Sequence, residues 1–78
     1  MDIASQLIEF IKSDLVAPGV EVHVDTPFEK LGLDSFSLIE IILFIERKFG
    51  VSIPDKELNS ENLHSVKTLA TCVEKYRK

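Results

Sequence analysis

The stretch LGLDSFSLIEIILFIERKFG, residues 31–50, decides how the rest of the chain is read. Nine of the fifteen residues 35–49 are apolar (Phe36, Leu38, Ile39, Ile41, Ile42, Leu43, Phe44, Ile45 and Phe49), more than a single buried helical stripe requires. Asp34 stands where a helix N-cap is needed, Gly50 follows the last turn, and Arg47 and Lys48 suit the negative end of a helix dipole. Ser37 and Glu40 also form a capping-box pair, so the first turn starts at Ser35 or slightly later.

Toward the N-terminus, Ile3, Leu7, Phe10, Ile11 and Leu15 recur at helical spacing behind a capping Asp2, and Pro18-Gly19 stops the pattern. Residues 20–24, Val-Glu-Val-His-Val, alternate as a strand would, but no second segment alternates with them. Residues 16–34 are therefore expected to be a long ordered connection pinned by Val20, Val22, Phe28 and Leu31. Toward the C-terminus, Ile53-Pro54 enforces a bend, and short turns are expected over 55–59 and 60–63. Ser65 then caps a last helix whose apolar side is Val66, Leu69, Ala70, Val73 and Tyr76, with Lys75, Arg77 and Lys78 at its end. The expected fold is all-α: a small antiparallel four-helix bundle, three longer helices plus one short one, with a long loop between helices 1 and 2. In its core, Ile42, Ile45, Phe49 and Ile53 are expected to meet Leu7, Ile11, Leu69 and Val73.

A chain of 78 residues is one domain, 1–78, and buries only about 60% of its unfolded surface. The lone Cys72 excludes an internal disulfide and reads as a small packing residue. His23, His64 and Cys72 lack metal-ligand spacing, the three glycines form no phosphate-cradling loop, and no nucleophilic constellation is present, so neither a metal site nor an enzyme is expected. The net charge of −4 divides unevenly: residues 1–46 balance to −7 and residues 47–78 to +3. An acidic front half repels nucleic acid and attracts basic surfaces. The longest apolar run, residues 41–45, is too short to span a bilayer, and Met1-Asp2-Ile3 lacks the basic start of a signal peptide. A cytoplasmic monomer is expected.

The segment that stands apart is FEKLGLDSFSL, residues 28–38. Gly32 turns the chain between two leucines, and Asp34-Ser35 falls on a helix N-terminus, where a phosphodiester on Ser35 would face free N–H groups and the positive dipole end. From position alone, a plain helix cap and a modification site both remain open. Gly32-Leu33-Asp34-Ser35-Phe36, then Ile39-Glu40-Ile41, then Phe49-Gly50-Val51-Ser52-Ile53-Pro54-Asp55 together resemble the acyl carrier protein family over essentially the whole chain.

That resemblance implies a 4′-phosphopantetheine arm on Ser35, delivered from coenzyme A by a phosphopantetheinyl transferase and ending in a thiol that carries acyl groups as thioesters. It matches Asp34 to the acidic residue beside the modified serine. It also places Phe36, Ile39, Glu40 and Leu43 on the face that docks ligases, ketosynthases and acyltransferases. There are departures from the usual pattern. Ser37 stands where an acid is usual, Glu46-Arg47-Lys48 replaces a more acidic helix end, Phe44 stands where a small residue is common, and the link from Pro54 to Val66 is longer. These point to a dedicated carrier for a specialised acyl or polyketide pathway. An aminoacyl or peptidyl carrier, a primary fatty acid carrier and an unmodified helical adaptor are the alternatives.

Overall fold

The computed structural model describes residues 2–77. Three helices carry the fold: α1 (Ile3–Phe10), α2 (Ser35–Phe49) and α3 (Val66–Tyr76), with short 3-10 turns at Phe28–Leu31 and Asp55–Glu57. A π-helical turn, Ile11–Leu15, prolongs α1 by one more revolution. There the Ser13 hydroxyl donates to the Glu9 carbonyl at 2.6 Å, a side-chain bond that competes with the regular ladder.

Each helix starts where a side chain takes over an orphan amide. Asp2 Oδ1 accepts from the Ser5 amide at 2.8 Å, and Asp34 Oδ1 accepts from the Ser37 amide at 2.9 Å. That second bond fixes the start of α2 at Ser35; the Ser37-x-x-Glu40 pair does not form the cap. Ser65 and Thr68 cap α3 reciprocally: Ser65 Oγ accepts from the Thr68 amide at 3.4 Å, and Thr68 Oγ1 from the Ser65 amide at 3.0 Å. At the far end of α2, Gly50 turns left-handed (φ 65°), a conformation that a Cβ would strain.

The core gathers one stripe from each helix. Ile3, Leu7 and Ile11 come from α1 and its extension, Ile41, Ile42 and Ile45 from α2, and Val66, Leu69, Cys72 and Val73 from α3. Val22 and Phe28 from the long connection, and Val51 and Ile53 from the chain after α2, close its ends. Phe49 departs from expectation: it is half-buried, edge-on to Phe44 at 6.4 Å, with the Arg77 guanidinium 5.6 Å over its ring. One turn beyond Ile45, α2 has reached the rim of the bundle, so Phe49 finishes the core instead of filling it. Phe44, on the otherwise polar side of α2, lies flat on Phe10 with ring centroids 4.3 Å apart.

The alternating residues 20–24 form no strand among the described residues. Their backbone is tied to other elements instead: the Lys67 amide donates to the Val24 carbonyl at 2.9 Å, and the Phe28 amide to the His64 carbonyl at 2.8 Å. Both bonds serve the start of α3. The link after α2 is equally well tied. The Glu57 carboxylate accepts from the Tyr76 hydroxyl and from Asn62 Nδ2, while Thr68 Oγ1 donates to the Asn62 carbonyl at 2.9 Å.

Two expectations follow. Ile45 is fully buried and Leu43 is 47% exposed. Ile45→Ala should therefore cost about 2–5 kcal/mol in urea unfolding, and Leu43→Ala within about 0.5 kcal/mol. Asp34 and Glu57 titrate below their ordinary range, Asp34 chiefly through the Ser37 amide and Glu57 chiefly through the Tyr76 hydroxyl. A depressed carboxyl contributes stability that is present above its unfolded pKa and lost as pH falls through its folded one. Thermal midpoints should thus decline below about pH 4, and less steeply in Asp34→Asn, which keeps a capping oxygen but cannot titrate.

Candidate functional site

The local sequence carries Ser35 to the surface in three steps. Phe28 is buried and anchors the 3-10 turn to the core. Gly32 ends that turn in a left-handed conformation (φ 73°), its amide bonded to the Glu29 carbonyl at 3.1 Å, while the Leu33 amide reaches back to Phe28 at 3.2 Å. Asp34 then caps α2, and Ser35, its first residue, is exposed.

The electrostatics at this point favour negative charge. The N-terminal turn of α2 presents its amides and the positive end of the helix dipole. The Asp34 carboxylate occupies only part of that field, accepting from the Ser37 amide, and the same bond keeps its carboxyl ionised.

Two surfaces lead away from Ser35. The first is a stripe along α2, with Phe36, Ile39 and Leu43 at 70%, 57% and 47% exposure and Glu40 half-buried beside them. Residues three and four apart on a helix share a side, so these four form one continuous face. Three large apolar side chains are thus left in water along one side of α2. Asp34, Ser35, Phe36, Ile39, Glu40 and Leu43, the residues singled out in the sequence, thus lie at the N-terminus and along one side of a single helix.

The second surface was not anticipated. An apolar cleft of about 250 Å³ opens directly beside Ser35, lined by Leu38, Ile39, Ile42, Leu58 and Leu63. Its outer wall comes from the link after α2, which read as little more than two turns. Leu58 and Leu63, the two apolar residues in the otherwise polar stretch 55–65, were the signal available.

Elsewhere the residues singled out play other parts. His23 Nε2 meets the Glu21 carboxylate at 3.1 Å on an exposed loop. His64 offers its backbone carbonyl to Phe28. Cys72 is buried in the core, and burial pushes its thiol up, with the charge of Glu57 adding to the effect. Among the described residues no group of three or more His, Cys, Asp or Glu side chains could hold a metal ion, and no helix is long and apolar enough to cross a membrane.

Known proteins share this arrangement. The family model for the phosphopantetheine attachment site matches residues 5–73. The acyl carrier protein of Campylobacter hominis is 32% identical over 79 aligned residues, covering 100% of this chain and 98% of that one. The crystal structure of an acyl carrier protein from Thermotoga maritima superposes with a TM-score of 0.74 at 26% identity, over 92% of this chain and 82% of that one. A chain in the crystal structure of Bradyrhizobium japonicum glycine:[carrier protein] ligase complexed with glycylated carrier protein superposes with a TM-score of 0.75 at 27% identity, over 91% and 99%. Both the helical frame and the sequence match run nearly the full length of the chain, which belongs to the acyl carrier protein family, whose members bear a covalent phosphopantetheine group and carry acyl groups without being enzymes.

Proposed function

We propose that the chain is a single carrier domain, 1–78, whose Ser35 oxygen forms the phosphodiester to 4′-phosphopantetheine, delivered from coenzyme A by a phosphopantetheinyl transferase. The observation that carries this reading is the exposed Ser35 hydroxyl on the first turn of α2, at the mouth of an apolar cleft. The residues present fit such a group. First-turn amides and the helix dipole favour the phosphodiester anion, and Asp34 holds the turn in place without consuming all its donors. When bound, the arm supplies a flexible thiol that holds acyl groups as thioesters. The chain's own side chains then present the arm, shelter the near part of an apolar cargo against Leu38, Ile42, Leu58 and Leu63, and dock the enzymes that load and process it through Phe36, Ile39, Glu40 and Leu43.

The partners are of the ligase, ketosynthase or acyltransferase type, and the pathway is a dedicated acyl or polyketide one. Support for a dedicated pathway comes from α2, whose exposed end is the basic Arg47 and Lys48 rather than acidic. A second reading, an aminoacyl carrier, is favoured by the likeness to the chain crystallised with glycine:[carrier protein] ligase. The cleft argues for the first reading. Beyond Ser35 at its mouth its lining is wholly apolar, so its interior rewards hydrocarbon over an ammonium group.

Incubation with coenzyme A and a broad-specificity transferase should add one arm per chain by intact mass. Ser35→Ala should keep its helicity and take up none; labelling that persists would remove Ser35 from the role. The labelled protein should then be charged with octanoyl or with glycyl. Amide shifts at Ile39, Leu58 and Leu63 confined to the octanoyl form support the acyl reading, whereas equal shifts favour the aminoacyl one. Turnover of the octanoyl form by a ketosynthase of primary fatty acid synthesis should be slow, and rapid turnover would return the chain to that pathway.

A further inference from the structure

Beside the stripe that leads from Ser35, α1 and α2 leave an open cleft of about 510 Å³. Phe10 and Phe44 lie in its lining, stacked at 4.3 Å with an interplanar angle of 10°, and Leu43 borders it, continuing the exposed line of Phe36 and Ile39. The remaining lining is charged: Asp14, Glu40, Arg47 and Lys48.

These charges are segregated. On α2, Glu40 and Arg47 are seven residues apart, two turns or roughly 10 Å along the axis. Phe10 faces Phe44. Asp14, one turn past Phe10, shares this cleft with Glu40, whereas Gln6, one turn before Phe10, borders only the adjoining cleft, with Lys48 and without Glu40, so Asp14 lies on the Glu40 side of Gln6. Lys48, one turn past Phe44, lies toward the other end, where it also borders the adjoining cleft with Gln6 and Glu9; Asp14 lines both clefts and so sits between Glu40 and Lys48 along the groove. Among the described residues none of the four is engaged in an ion pair; those present are Glu21–His23, Asp25–Lys67 and Glu74–Arg77. The cleft thus has an aromatic floor, an acidic end nearer Ser35 and a basic end farther from it.

We propose that this cleft is a second docking surface, which receives an amphipathic helix of a partner protein with basic side chains at the Asp14–Glu40 end and acidic side chains at the Arg47–Lys48 end. The proposal rests on the carrier reading and extends the docking face from one helix to the groove between two. Apolar contact with Phe10, Leu43 and Phe44 supplies the anchor, and the two charged ends fix which way the partner helix lies. A partner docked in this direction addresses the Ser35 end of α2 with its basic end. Partners carrying a uniformly basic patch would set like charges against Arg47 and Lys48, which is the physical reason for a dedicated partner.

The test uses two synthetic helical peptides of identical composition and identical apolar ridge. In one, lysines flank one end of the ridge and glutamates the other; in the second, the same charges alternate. Each is titrated into the isotope-labelled full chain at low salt. The segregated peptide should shift the amides of Phe10, Asp14, Leu43, Phe44, Arg47 and Lys48 and bind roughly three- to tenfold more tightly than its isomer. Arg47→Glu with Lys48→Glu should abolish that preference. Adding Asp14→Lys and Glu40→Lys should restore it, because the peptide can then lie in the opposite direction. Equal affinity for both peptides, no binding, or shifts elsewhere on the surface would overturn the proposal. So would cleft shifts produced by raising the protein concentration alone, which would assign the face to a second copy of this chain. Loading of Ser35 is followed by mass on the same samples: loading without a peptide preference sinks this inference alone, and failure to load sinks the carrier reading.

Discussion

Helix α2 has to be apolar on two sides at once, and the rest of the structure is arranged around that demand. One side, Ile41, Ile42 and Ile45, is buried between α1 and α3 and supplies the centre of the only large core a chain of this size can build. The other, Phe36, Ile39 and Leu43, stays in water. A small domain that leaves Phe36, Ile39 and Leu43 about half or more exposed forgoes a good part of the roughly 1.5–3 kcal/mol that fully burying each would supply. The stability has to come from elsewhere: caps on all three helices, and loops that contribute Val22, Phe28, Val51 and Ile53 to the core.

That demand also explains why the connections are ordered despite having little regular structure. The first turn of a helix leaves amides without partners, and in a domain this small the loops are near enough to take them. The Val24 carbonyl accepts from Lys67 at the start of α3, and the His64 carbonyl, just before it, accepts from Phe28. The alternating residues 20–24 therefore function as a brace across the bundle. Their alternation reflects one inward side chain, Val22, between exposed neighbours, and no sheet is needed to explain it.

Much of this was legible in the chain. The caps Asp2, Asp34 and Ser65, the stop at Gly50 and the three core stripes follow from local chemistry, because each depends on residues within a few positions of one another. The placement of Ser35 at an exposed helix start was legible for the same reason. What could not be read were contacts between elements distant in sequence. Phe44 is out of place on a polar helix face until Phe10 is seen lying against it, 34 positions away. Phe49 belongs to the core by spacing and to the rim by geometry, since periodicity does not say where a bundle ends. The cleft beside Ser35 depends on a wall donated by a link with almost no helical signal.

That wall shows how the site depends on parts of the chain remote from it. Leu58 and Leu63 border the cleft, and between and beside them the link is held by Asn59, Asn62 and Glu57. Asn62 donates to both the carbonyl and the carboxylate of Glu57, and its own carbonyl accepts from Thr68 on the first turn of α3. Tyr76, near the end of α3, donates its hydroxyl to the same Glu57 carboxylate. One carboxylate thus ties the wall to the last helix at two heights, so the width of the cleft is set by α3 rather than by the loop itself. The same bonds depress the Glu57 carboxyl and raise the Tyr76 hydroxyl, which keeps both in the charge states that preserve the tie over the neutral range. A cleft built from flexible leucines alone would collapse onto itself in water. Here its wall is instead tied through hydrogen bonds to a helix packed in the core, which holds Leu58 and Leu63 in position beside the serine.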